Sequence, residues 1–135
     1  MIETPFKPIQ IYSNVVDNID NATKNYREII KDFKSKDLIE EVEPQQMWTD
    51  YYADESSCEY RMKTWSSFCE HYLGDSIDEF AKANDLTSLH IKEIWTQITK
   101  GGGTHHPHTH GDVGWSFVWY IDIDEKEHKP TFYYN

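Results

Sequence analysis

The chain has 135 residues, a formal net charge of −11 and a pI near 4.9, so it is the size of one modest, strongly acidic domain. That charge excludes a protein that grips nucleic acid through its phosphates, or one that docks on an anionic membrane surface, since both need a basic face. Aromatic residues make up 15% of the chain, five Trp and nine Tyr among them, and they are expected to carry much of a core that a chain this long can bury without disulfides or a structural metal.

In chain order, residues 5–12 (PFKPIQIY) read as a strand whose Pro5 and Pro8 place it at an edge. Asp17 or Asn18 then offers a helix cap. From Ile19 the apolar positions Ile19, Ala22, Tyr26, Ile29, Ile30 and Phe33 make a helical stripe with charged residues opposite. Residues 35–63 are polar and read as irregular, solvated loop. Met47, Trp48, Tyr51 and Tyr52 interrupt it as a short extended segment on the core or a lid over a site. A second amphipathic helix is predicted from about Thr64 to Ala83, buried at Trp65, Phe68, Cys69, Tyr72, Ile77, Phe80 and Ala81, and ended by Asn84-Asp85.

After Leu86 the apolar period shortens toward two, which predicts a strand running to Ile98. The glycines between Lys100 and Thr104 break it. Residues 115–123 (WSFVWYIDI), aromatic and β-branched, predict the strongest and most buried strand of the chain. Asp124 to Lys129 reads as a charged turn and Pro130 to Tyr134 as the opening of a further strand. Helices first and strands second argue for an α+β fold in one domain over 1–135, with a helical buttress over about 14–85 and a β core over about 86–135. No run of 18 apolar residues occurs and the N-terminus lacks a signal-peptide h-region, so a soluble, cytoplasmic protein is expected, in the host cytoplasm if the gene is viral. Cys58 and Cys69, eleven positions apart, fit neither a zinc ribbon nor a CxxC motif and read as reduced, partly buried thiols.

The stretch that carries chemistry runs from Gly101 to Asp112. Four of the seven histidines lie here, and His106, His108, His110 and Asp112 are each two residues apart. In an extended backbone, side chains at i and i+2 share a face, so two neighbours can reach one ion. Imidazole is the commonest protein metal ligand. Two histidines and one carboxylate with open coordination positions hold iron(II) in non-haem oxygenases. His108 with His110, or His110 with Asp112, would supply part of that set. The tract contains no Cys, which argues against structural zinc, while a three-His catalytic zinc stays open. His-rich loops also exist as plain surface. Here the tract lies between two predicted strands and follows a triple glycine that permits an unusual backbone path.

The run from Trp95 to Gly101, then His108, Thr109, His110 and Gly111, then Trp115 to Ile121, resembles the 2-oxoglutarate/Fe(II)-dependent oxygenases of phages and bacteria, within the prolyl 4-hydroxylase-like superfamily. The resemblance covers about residues 89–134. It implies a double-stranded β-helix, or jelly roll, with the helices packed on it, and a dioxygenase of the hydroxylase type acting on a small-molecule or peptide substrate. Its cofactor would be Fe(II) and its co-substrate 2-oxoglutarate. His108 and His110 would be the proximal metal pair, with Asp112 a candidate carboxylate ligand. Ser116, Val118 and Tyr120 would share one strand face, where Tyr120 lines the co-substrate pocket or is a core aromatic. In that family a second metal-binding His, and a basic residue for 2-oxoglutarate, lie on later strands. The sequence ends at Asn135 and His128 stands too close to serve, so a C-terminally truncated, incomplete jelly-roll sheet is expected. Two other readings remain beside it: a cupin-like metal-binding protein with different chemistry, such as isomerisation, and a non-catalytic β-sandwich interaction protein. The residues do not specify an oligomeric state.

Overall fold

The computed structural model describes residues 11–100, 103, 105, 108, 110, 114–124 and 126. They form a mixed α+β arrangement: helix α1 (Ile19–Ser35), strands β1 (Glu40–Val42) and β2 (Met47–Thr49), helix α2 (Cys58–Ala83) and strand β3 (Gln97–Thr99). The three strands make an antiparallel sheet in the order β1-β2-β3. Trp48 stands opposite Glu41 on one side and Ile98 on the other. No helix among the described residues is long and apolar enough to cross a membrane.

Helix α1 follows its stripe closely. Ala22, Tyr26, Ile30 and Phe33 are buried, at spacings of four, four and three that keep them on one face. Ile29 is only half-buried and Ile19 is exposed. Asn18 takes the N-cap position with a left-handed backbone and makes no side-chain cap. Both helices end in the same way. The residue after the C-cap, Asp37 or Asp85, adopts a positive φ of 57° or 53°. The next amide, of Leu38 or Leu86, then turns back to the carbonyl of Phe33 or Ala81 at 2.9 Å. This six-to-one bond satisfies a carbonyl the helix leaves over, with Asp standing where Gly is the usual choice.

Helix α2 starts six residues earlier than its apolar pattern implied, at Cys58. A 3₁₀ turn over Glu55–Ser57 leads into it. The Asp54 carboxylate accepts the Ser56 amide at 3.0 Å, and the Ser57 hydroxyl donates to the Asp54 carbonyl at 2.6 Å. The Ser56 donors hold the Asp54 carboxyl below the usual carboxylate range. Together the two bonds convert an acidic segment that reads as loop into a helix start. The helices meet through large rings. Phe33 and Trp65 are edge-to-face with centroids 5.3 Å apart, Tyr26 and Trp65 lie at 5.9 Å, and Tyr26 and Phe68 at 6.5 Å. Such pairs add about 0.5–1.5 kcal/mol each beyond the area they bury.

One buried carboxylate ties these parts together. Asp50, 0% exposed, follows β2 directly. Its Oδ2 accepts the Trp65 indole N–H at 2.7 Å and faces the Arg61 guanidinium at 3.8 Å, both on α2. Its Oδ1 accepts the Thr96 amide at 2.8 Å, one residue before β3. The Thr96 carbonyl takes the Thr49 hydroxyl at 2.7 Å, and the Thr96 hydroxyl bonds the Tyr26 hydroxyl of α1 at 2.7 Å. Both helices and two strands thus converge on three adjacent polar residues.

Three sequence expectations are corrected. The strand predicted up to Ile98 is a strand only over Gln97–Thr99, because it pairs with β2 only there. The loop over 35–63 contains two of the three strands, a hairpin the polar composition concealed. Residues 115–123 carry no strand assignment and are mostly exposed. They cross the helices by alternate contacts: Trp115 against Phe80 at 4.9 Å, Trp119 stacked on Phe68 at 5.3 Å, and the Ile121 carbonyl accepting the Thr23 hydroxyl at 2.8 Å. Arg27 closes the line with two bonds to the Asp122 carboxylate, at 2.8 and 2.9 Å. Trp119 and Ile121 are half-buried against the helices, while Phe117, in phase with them, is exposed like Val118 and Tyr120. The strand expected over 5–12 falls outside the described residues except for Ile11 and Tyr12, which are not in a strand, and the segment 130–134 lies wholly outside them.

The two thiols differ sharply. Cys58 is exposed, whereas burial pushes the Cys69 thiol up to about 12. Eleven positions on one helix separate them by roughly 16 Å, too far for a disulfide. Ellman's reagent should therefore titrate one thiol quickly in the folded protein and the second only in denaturant.

Burial also raises the Asp50 carboxyl above its ordinary value, outweighing the Trp65, Thr96 and Arg61 donors that lower it. Asp50→Asn leaves one N–H donor facing another and Arg61 without its counter-charge, which should cost about 2–4 kcal/mol in urea unfolding. With the folded value raised, the native state binds the extra proton, so this group's contribution is fullest below about pH 3.9, its unfolded value. The stability gap between wild type and Asp50→Asn should therefore narrow as pH rises from there through the folded value. A gap that widens would show that the donors, not burial, dominate.

Candidate metal centre

The candidate site grows from the strip that leads into β3. Trp95 and Gln97 are two residues apart and point to the same side of an extended backbone. Past Thr99 the chain turns back, the Gly103 amide donating to the Lys100 carbonyl at 2.7 Å. Here glycine is required by space. A Cβ on residue 103 would stand 2.8 Å from the Gln46 carbonyl oxygen and 2.9 Å from that of Lys100, backbone atoms that cannot swing aside. The β1–β2 turn thus abuts Gly103.

The returning tract lays its rings along that strip. The Gln97 amide nitrogen lies 3.0 Å from His105 Nδ1. The His105 and His108 rings have centroids 4.3 Å apart. His108 Nε2 and His110 Nε2 lie 3.2 Å from each other. The His110 ring stacks on Trp95, with centroids at 6.0 Å and planes 23° apart. Trp95 in turn meets Tyr51 edge-on at 5.1 Å. The three described imidazoles of this stretch, His105, His108 and His110, are exposed.

Two neutral imidazoles can bring their Nε2 atoms this close in two ways. One N–H donates to the other's lone pair, or both lone pairs face a shared cation. Two nitrogens bound to one ion at about 2.0–2.1 Å, at angles between right and tetrahedral, stand about 3–3.4 Å apart. The observed 3.2 Å matches that span as well as an N–H···N bond, so the pair is able to serve as two ligands of one ion. Among the described residues, no group of three or more His, Cys, Asp or Glu side chains could hold a metal. The structure therefore brings His108 and His110 together. Asp112 lies outside the described residues, and so does His106. Tyr120 lies on the outward side of the segment over the helices, 48% exposed.

Two features escaped the sequence. Asp50 carries no motif, though an acid set between Trp48 and Tyr51 is a hint that it is buried. Trp95 reads only as part of a predicted strand, and it serves as the surface against which His110 lies. Gly103→Ala should displace the tract from the turn. In long-range ¹H–¹⁵N spectra the His108 and His110 ring resonances should move, while the Trp65 indole signal stays in place. Unchanged imidazole signals would show that the turn does not position them.

No protein-family model, no curated protein and no solved structure matches the chain, so the site stands on its own geometry.

Proposed function

We propose that the chain is a 2-oxoglutarate/Fe(II)-dependent oxygenase domain of the hydroxylase type, in which His108 and His110 supply two metal ligands. The observation that carries this reading is the 3.2 Å approach of the two Nε2 atoms. The order of the parts supports it: a strand, a glycine turn, an H-x-H pair and an extended aromatic segment, as in the oxygenases the sequence resembles. Asp112, one alternate position beyond His110, is the carboxylate proposed to complete the set. Tyr120 is proposed to line the co-substrate pocket. The described antiparallel sheet, with the extended segment over 114–124, is proposed as part of a double-stranded β-helix buttressed by α1 and α2.

When bound, iron(II) with 2-oxoglutarate would supply the oxidation of a substrate C–H bond by dioxygen. The chain's own groups position that centre. Gln97, by donating its amide to His105 Nδ1, holds the first ring of the series. Stacking on Trp95 sets the plane of His110. Both residues stand on the strip anchored through Thr96 to Asp50, so the pair is oriented by buried bonds although the rings are exposed.

Anaerobic addition of Fe(II) and 2-oxoglutarate to tag-free protein should give a weak visible charge-transfer band, and His108→Ala should abolish it. Stoichiometric iron binding without the band would favour a cupin-like protein with other chemistry. No iron binding at all would remove the metal centre.

A further inference from the structure

We propose that Tyr51, Tyr52 and Trp95 form a platform beside His110 that recognises an organic ammonium group. As the recognition element of the substrate, it rests on reading the histidine pair as the reacting centre.

The three rings are continuous. Tyr51 lies edge-on to Tyr52 at 5.0 Å and to Trp95 at 5.1 Å, and Trp95 continues onto His110 at 6.0 Å. Tyr51 is 45% exposed and Tyr52 58%. The core does not need them there, because Tyr26, Phe33, Trp65 and Phe68 already fill the space between the helices. Open aromatic area beside a candidate reacting centre is surface available to a ligand.

The platform is also stiff. Tyr51 directly follows Asp50 and Trp95 directly precedes Thr96, and these two inner residues are joined by the 2.8 Å bond from the Thr96 amide to Asp50 Oδ1. The Tyr51 amide donates to the Thr49 hydroxyl at 3.1 Å, and that hydroxyl donates to the Thr96 carbonyl at 2.7 Å. A ligand would meet rings whose backbone positions are set by buried bonds, with little left to order on binding.

Charge selects the ligand. Aromatic faces carry the negative lobe of a quadrupole, and indole is the strongest of the three ring types toward a cation. The chain has 24 acidic and 13 basic residues, so its field draws cations in and turns polyanions away. The same contact occurs twice among the described residues, Lys36 Nζ over Tyr60 at 5.0 Å and Lys100 Nζ over Trp48 at 5.2 Å.

Calorimetric titration of the metal-free protein with choline and with its uncharged isostere 3,3-dimethylbutan-1-ol tests this. Choline should bind about three- to tenfold tighter than the isostere. Tyr52→Leu and Trp95→Leu should each remove most of that preference. Tyr52, being more than half exposed, keeps the test usable if the Trp95 variant does not fold by circular dichroism. His108→Ala should keep the choline preference while losing the iron band. Equal affinity for the two probes, no binding of choline, or an unaltered preference in Tyr52→Leu overturns the platform. A choline preference in a protein that never shows the iron band leaves the platform standing and removes the metal centre.

Discussion

A carboxylate with no exposure must have its lone pairs met by donors, and in this chain that demand organises the molecule. Asp50 draws the Trp65 indole and the Arg61 guanidinium from α2 and the Thr96 amide from the strip before β3. Thr96 passes the linkage to β2 through Thr49 and to α1 through Tyr26. A hydrophobic contact could be replaced by another of similar volume. A buried acid facing three donors cannot be, because each donor left unpaired costs more than the bond itself contributes. The network therefore specifies one register of sheet against helices, where ring packing alone would tolerate several.

The same network explains why exposed histidines can be ordered. His105, His108 and His110 are on the surface, but the residues they lean on are not free to move. Gln97 is in β3, and Trp95 adjoins Thr96. On the other side, the β1–β2 turn approaches Gly103 so closely that no side chain fits. A strip fixed by buried hydrogen bonds borders the rings of His105 and His110, and a hairpin turn borders Gly103. A site built on such a frame can hold paired nitrogens at 3.2 Å without being buried itself.

Residues 114–124 show how far a period-two pattern reaches. Trp115, Trp119 and Ile121 touch the helices, while Phe117, in phase with them, is as exposed as Val118 and Tyr120. Alternation by itself therefore does not decide which side chains are turned inward. Pairing is a separate matter, since a strand is defined by the neighbour that takes its amides and carbonyls, and a neighbour is a long-range fact. Only three residues of the strip before the glycine turn, Gln97 to Thr99, find that neighbour in β2.

The buried face of helix α1 was legible at Ala22, Tyr26, Ile30 and Phe33, which repeat every turn, since a local period decides a helix face, while Ile19 and Ile29 at the margin of the stripe stayed exposed or half-buried. The body of α2 was legible for the same reason. Its first six residues were not, because Asp54, Ser56 and Ser57 look like loop until their side chains are seen closing a turn. The alternation of His108 and His110 was likewise written in the chain, and so was glycine before it. The hairpin of β1 and β2, the partner that limits β3, the burial of Asp50 and the use of Trp95 as a backing for His110 were decided by the tertiary structure alone. Each depends on groups tens of residues apart, Asp50 and Thr96 being 46 positions distant. Local sequence carries propensity and periodicity, whereas the pairing of one buried donor with one acceptor exists only once the chain has closed on itself.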